Sequence, residues 1–245
     1  TLSLHDALPI STNDVEGIDA AYKAVILSQF GFGATIDFDD VTHKGITNIS
    51  TDDVAVAQEL GYVIKLVGDV REVESGISAE VSPTFLPKNH PLASVNDVMN
   101  AVFVESIGIG ESMYYGPGAG QKPTATSVLA DIIRIARRLS DGNVGKPFNE
   151  FRRDLPLANP ADVKSNYYFA LDTPDEKGKI LHLSEIFNSE DISFEQVLQQ
   201  KANGTTARIV VITHAMSKTQ LQAVTEKLEA AEDFAVVNTL KVLSN

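Results

Sequence analysis

The segments YVIKLVGDV (62–70) and ISAEVSPTFLP (77–87) set the fold class of this chain. Apolar and polar residues alternate in both, which is the period of a half-buried β-strand. Pro83 lies inside the second. A proline cannot donate to a ladder, so it marks an edge strand or a bulge. Two more strand-like runs follow, MNAVFVES (99–106) and IGESMYYG (109–116). Upstream, Asp14 is placed to cap a helix that runs to about Phe30, and the glycines of GFGAT (31–35) stop it. Ser50 and Asp53 have the spacing of a capping box for a short helix over 51–60 that ends at Gly61. Together these signals predict an α+β fold, an open and mostly antiparallel sheet with helices on one face.

Beyond the strands, GPGAG (116–120) leads into a helix over about 124–139. Val128, Leu129, Ile132, Ile135, Ala136 and Leu139 form one apolar stripe on it. Arg134, Arg137 and Arg138 gather towards its C-terminal end, where cations suit the helix dipole. Residues 140–163 are rich in Gly, Pro, Asn and charge and read as a linker. A second rhythm follows. NYYFALDT (166–173) reads as a strand, and 179–189 as a helix with Ile180, Leu183, Ile186 and Phe187 facing inward. ISFEQVLQ (192–199) and ARIVVITH (207–214) are strands joined by the hairpin signal NGTT. Ser217 and Gln220 make a second capping box, before a helix lined by Leu221, Val224 and Leu228, and FAVVNTLKVL (234–243) closes the run. The order is βαββαβ, the ferredoxin-like arrangement.

The 245 residues allow one large or two ordinary domains, and 43% hydrophobic residues suffice for a core. A net charge of −13 argues against nucleic acid and anionic membrane surfaces as partners. There is no cysteine, so neither a disulfide framework nor a thiolate metal site is available, and a cytoplasmic setting fits. No apolar run reaches the roughly 18 residues of a membrane span. His43, His90, His182 and His214 lack metal-ligand spacing.

The opening TLSLHDALPI (1–10) has no basic start, and His5-Asp6 interrupts its apolar stretch, so it does not read as a signal peptide. It resembles the translation of a sequencing-adapter oligonucleotide. Residues 1–11 are therefore set aside as a non-native segment, with Ser11 at the junction.

Two motifs carry chemical interest. In DVEGIDAAYK (14–23), Asp19 and Lys23 are four apart and share a helix face. That describes equally a solvated ion pair worth about 0.2–0.5 kcal/mol and a lysine poised at a cleft to exchange a proton with a substrate oxygen. GPGAG lets backbone approach a ligand at a helix start, or is only a turn. It matches neither the P-loop nor the GxGxxG spacing.

In order and spacing, DVEGIDAAYK, GIT (45–47), SPTFLPKNHPLASVNDVMNAVFVES (82–106) and YYGPGAGQKPTATSVLADI (114–132) resemble the homoserine dehydrogenases over about 12–140. The resemblance implies an enzyme that reduces L-aspartate 4-semialdehyde to L-homoserine with NADH or NADPH, on the branch to threonine, methionine and isoleucine. By that resemblance Lys23 is the proton donor and acceptor, Asp19 binds the substrate, and Asp14 lies in the same pocket. Gly120 and Gly118 would contact the NAD or NADP cofactor. The family's dinucleotide-binding domain is not among these 245 residues, which implies an inactive fragment. The family's substrate-binding glutamate falls at Leu8, and its proline at Ser11. The helix after GPGAG would pack on that domain, so part of the stripe Val128 to Leu139 is expected to be exposed. Residues 164–245 resemble an ACT domain. There the usual D-x-P-G turn reads DTPDEKGK, with Gly178 kept as an effector-site candidate and Lys177 in place of proline. L-threonine is the effector implied, and a homodimer or tetramer the assembly. The expected domains are thus 12–140, a linker at 141–163, and 164–245. Rival readings are a non-catalytic amino-acid-binding regulator and a dimerisation module.

Overall fold

The computed structural model describes residues 12–143, 151–203 and 205–243. The adapter-like opening, Leu8 and Ser11 among it, lies outside them, as does Gly204 of the NGTT turn. The described chain forms two compact units, one built from residues up to Pro87 together with Phe151 onward, the other from Lys88–Glu150.

The first unit opens with a four-residue helix α1 (Thr12–Val15) and continues in α2 (Ile18–Phe32). Asp14 therefore sits inside α1 and does not cap the long helix. The residue in that position is Gly17, left-handed at φ 78°, and Gly33 at φ 70° ends the helix. A short strand β1 (Thr42–His43) and helix α3 (Thr51–Glu59) follow. The Ser50–Asp53 capping box forms as expected. Strands β2 (Tyr62–Val73) and β3 (Gly76–Pro87) pair antiparallel in unbroken register from Tyr62 opposite Pro87 to Val73 opposite Gly76.

The second unit holds β4 (Met99–Ser106) and β5 (Gly110–Pro117), a two-stranded antiparallel ribbon, and α4 (Gln121–Ser140). Helix α4 starts three residues earlier than its periodicity suggested. Its stripe Val128, Leu129, Ile132, Ile135 and Leu139 is exposed along its whole length.

The chain then returns to the first unit. Residues 151–158, read above as linker, are docked there. The Ile77 N–H donates to Pro156 O, the Ala158 N–H donates to Ile77 O, and Arg153 forks onto Glu72. Gly76 makes room for this, because a Cβ there would lie 2.0 Å from Pro156 O. Next come β6 (Lys164–Pro174), α5 (Lys179–Asn188), β7 (Phe194–Asn203), β8 (Thr206–Thr213), the short β9 (Met216–Ser217), α6 (Lys218–Ala230) and β10 (Ala235–Val242). Strands β10, β6, β8 and β7 lie side by side, all antiparallel, so the βαββαβ order closes as a ferredoxin-like sheet.

That sheet does not end at β10. Lys241 and Val242 pair in parallel with Thr84 and Phe85 of β3, and β1 pairs in parallel with Glu80 and Val81. The outcome is a mixed α/β fold with one eight-stranded sheet among the described residues. Its strands come from both sides of the expected 140/164 boundary. Pro83 is consequently on an interior strand with no bulge against β2. It falls between the residues bonded to β1 and those bonded to β10, the place on that side where a missing N–H costs no ladder bond.

Helices cover both faces of the ferredoxin-like part. Alternate residues Tyr167, Phe169 and Leu171 of β6 pack with Leu183 and Phe187 of α5 and with Val224 and Leu228 of α6. Tyr168 and Ala170 face the other way, onto Val56 and Ala57 of α3 and Phe85 of β3. Ile180, expected to face inward on α5, is 41% exposed. A third cluster seats α2, through Ala21 and Ala24, on Ile77, Ala79 and Val81 of β3.

A charge cluster joins β2 and β3 to the later strands. Lys241, 6% exposed, contacts both Asp69 and Glu80. Arg71 reaches Asp69, Lys164 O and Ser165, and Lys218 lies 2.6 Å from Glu80. Burial alone would raise both carboxyls, but the Lys241 charge, with Arg71 at Asp69 and Lys218 at Glu80, holds each below its ordinary value. A depressed folded pKa stabilises the fold above the unfolded value, and the contribution fades as pH falls through the folded one. We expect the urea midpoint to stay level from pH 7 to 5 and to fall steeply below about pH 4, once the ordinary values of 4.5 and 3.8 are passed. A midpoint that stayed level to pH 3 would deny the cluster this role.

Candidate functional site

The placement of α2 begins with two glycines. Gly17 breaks the chain between α1 and α2, and a Cβ on it would lie 3.2 Å from Val81 Cγ1. Gly45, the glycine of the GIT string, passes so close to that break that a Cβ would sit 2.3 Å from Val15 O and 2.5 Å from Glu16 Cα. The Ile46 N–H then donates to Val15 O at 2.9 Å, and the Lys44 N–H donates to Val81 O at 2.8 Å. This clasp pins the start of α2 to β3. The sequence reading quoted both glycines and gave neither a role. The missing signal was the contact between positions almost thirty residues apart.

From that anchor α2 turns Ala21, Ala24 and Ser28 to the sheet, all at 1% exposure or less. Small residues let helix and sheet approach closely. The opposite face carries Asp19 and Lys23, whose carboxylate and ammonium are 2.5 Å apart and about half exposed. Tyr22 on the same helix stacks on Phe38 at 4.6 Å. Asp14 lies in exposed α1, before the Gly17 break, so the three predicted residues occupy two successive helices joined by one clasped turn.

The glycine turn belongs to the second unit. Gly118 N–H donates to Val98 O at 3.1 Å. Gly120 adopts φ 125°, ψ 155°, a region open to glycine, and gives α4 no side-chain cap. The first N–H groups of α4 thus follow directly on a turn without side chains, an arrangement that fits a group with anionic or polar oxygens. Asp14, Asp19 and Lys23 lie in one compact unit, and Gly118 and Gly120 in the other.

Gly178 is at the N-terminus of α5, left-handed at φ 92°. It borders a cavity of about 340 Å³ shared with Thr173 and Lys179. Beside it is one of about 600 Å³ lined by Asp172, Asp175, Glu176, Glu232 and Asp233. Three of these acids are engaged, Glu176 among them with Lys179 at 3.4 Å. Lys179 and His182 hold the Asp233 carboxylate at 2.5 and 2.8 Å, and Arg208 holds Asp172 at 2.8 Å. The hydrogen bonds from Lys179 and His182 keep the Asp233 carboxyl below its ordinary value. Among the described residues no three His, Asp or Glu side chains converge as a metal site, and no helix is long and apolar enough to cross a membrane.

Comparison with known proteins adds a direct result. The family described as homoserine dehydrogenase matches residues 7–133, more than half of the chain. The chain belongs to the homoserine dehydrogenase family. A homoserine dehydrogenase of Lactococcus lactis is 59% identical over 96% of this chain and 55% of its own length. One from Bacillus subtilis is 36% identical over 94% of this chain and 53% of its own. The crystal structure of a homoserine dehydrogenase from Thiobacillus denitrificans superposes with a TM-score of 0.88 at 33% identity, over 98% of this chain and 55% of that one. The Staphylococcus aureus homoserine dehydrogenase structure at pH 7.5 gives a TM-score of 0.70 at 27% identity, over 99% of this chain and 56% of that one. The chain thus spans about half the length of the homoserine dehydrogenases it matches.

Proposed function

We propose that the full-length gene product is an oxidoreductase that interconverts L-aspartate 4-semialdehyde and L-homoserine with NADH or NADPH. The observation that carries this is the Asp19–Lys23 pair, held 2.5 Å apart on the exposed face of a helix clasped to the sheet by Gly17 and Gly45. Lys23 places an ammonium where an aldehyde oxygen becomes an alkoxide. It donates the proton the alkoxide needs, and its charge stabilises the oxygen as negative charge develops. Asp19 orients the Lys23 ammonium and accepts from the substrate's polar groups. Asp14 completes the polar wall. Gly118 and Gly120 leave backbone bare beside the α4 N-terminus, where the nicotinamide end of the dinucleotide would rest. When bound, that cofactor supplies the hydride.

The segment from Lys164 onward is read as an ACT-type module. Its ferredoxin-like strand order and the cavities beside Gly178 favour an amino-acid effector, L-threonine, at that turn. A homodimer or tetramer in the cytoplasm completes the proposal. The first test is homoserine-dependent reduction of NAD and NADP by the purified full-length protein. No reduction with either dinucleotide would sink the catalytic reading. Calorimetric titration with L-threonine tests the effector separately, and absence of heat would leave the module a structural one.

A further inference from the structure

Gly118 is a glycine for a reason other than backbone torsion, since it is not among the residues with positive φ. The space its side chain would fill is taken by Asn100. A Cβ on Gly118 would lie 1.9 Å from Asn100 Nδ2, 2.4 Å from Cγ and 3.0 Å from Oδ1, so the whole carboxamide is laid over this glycine. The backbone fixes that placement. Asn100 is the second residue of β4 and pairs with Gly116 across the ribbon. The Gly118 N–H bond to Val98 O folds the turn back over the start of that strand.

Asn100 is exposed, and its carboxamide makes no hydrogen bond to any described residue. A carboxamide offers two donors and an acceptor. Here they stand free beside a turn without side chains, next to the uncapped start of α4. The group that matches one free carboxamide with two parallel hydrogen bonds is another carboxamide. Nicotinamide carries one, and an alcohol or aldehyde substrate does not present it at the cofactor turn.

We propose that Asn100 is a further ligand-contacting residue, pairing with the nicotinamide carboxamide of the dinucleotide on the GPGAG turn. This rests on the reading of that turn as the cofactor loop. In the full-length protein, Asn100→Ala is expected to raise the dinucleotide Kd, read by calorimetric titration, and its KM about tenfold, the effect of losing one to two hydrogen bonds, with kcat changed less than twofold. The isosteric Asn100→Asp keeps the filling of the turn and loses the donor, so it should raise KM as much. The 3-acetylpyridine analogue of the dinucleotide keeps the carbonyl that accepts from Asn100 Nδ2 and lacks the amide N–H that Oδ1 would accept, so Asn100→Asp should raise both KM values alike and Asn100→Ala should raise that of the analogue less.

Wild-type KM in Asn100→Asp, or an equal rise for the analogue and the natural dinucleotide in Asn100→Ala, would overturn the proposal and leave Asn100 as packing for the turn. Gly120→Ala separates the two levels of inference. If it leaves the dinucleotide KM unchanged, the cofactor reading of the whole turn falls. If it raises KM and Asn100→Asp does not, only the role of Asn100 falls.

Discussion

Lys23→Ala is expected to lower the turnover of the full-length protein by about a hundredfold or more, the usual contribution of a positioned proton donor. The argument is geometric. The Lys23 ammonium is 2.5 Å from Asp19, its one ion-pair partner among the described residues, and its side chain is 57% exposed. A lysine that merely decorated a helix would contribute a few tenths of a kcal/mol to stability and nothing to rate. The substitution therefore separates the two meanings of an Asp–Lys pair four residues apart. Because the pair is exposed, the urea midpoint of Lys23→Ala should stay within about 0.5 kcal/mol of the parent, so a drop in kcat cannot be blamed on unfolding. Lys23→Arg keeps the charge with a poor proton donor and should remain strongly impaired. Near-normal kcat for homoserine oxidation in Lys23→Ala would remove this residue from the mechanism.

Lys241→Ala carries the largest expected loss of stability, about 3–5 kcal/mol. The ammonium is almost entirely buried between Asp69 and Glu80, and these carboxylates remain when it is gone. Arg71, which reaches both carboxylates, and Lys218, on Glu80, compensate in part. The loss strikes where the ferredoxin-like strands meet β3, because Lys241 also pairs with Thr84 in the ladder. Urea denaturation of the purified protein measures it. A loss under about 1 kcal/mol would show that water takes over the role of the lysine. The triple change Lys241→Met, Asp69→Asn, Glu80→Gln, which removes the charges together, should recover most of the deficit.

Local signals were reliable where the physics is local. The Ser50–Asp53 and Ser217–Gln220 boxes close within three residues, and both formed. Leu183 and Phe187, at helical spacing, are fully buried as their period demands, whereas Ile180 sits at the exposed start of the same helix. Asp14 was misjudged as a cap because a glycine three residues on could break the helix, and nothing in the string said which residue would do so. The chemistry of DVEGIDAAYK was legible only as far as a shared face. That α2 is clasped at Gly17 by Gly45, and that Asn100 covers Gly118, depends on backbones brought together by the fold.

The alternation and capping patterns of this sequence determined its strands, its helices and the βαββαβ order of its second half, since those preferences act between residues a few positions apart. Long specific strings placed it among the homoserine dehydrogenases. The tertiary structure alone decided that β10 lies against β3, making one sheet of two stretches of sequence, that Pro83 falls in the gap between two neighbours, and that Lys241 is buried against carboxylates 172 and 161 residues away. Such pairings are set by which surfaces remain to be buried once the local elements have formed, and no window of sequence contains both partners.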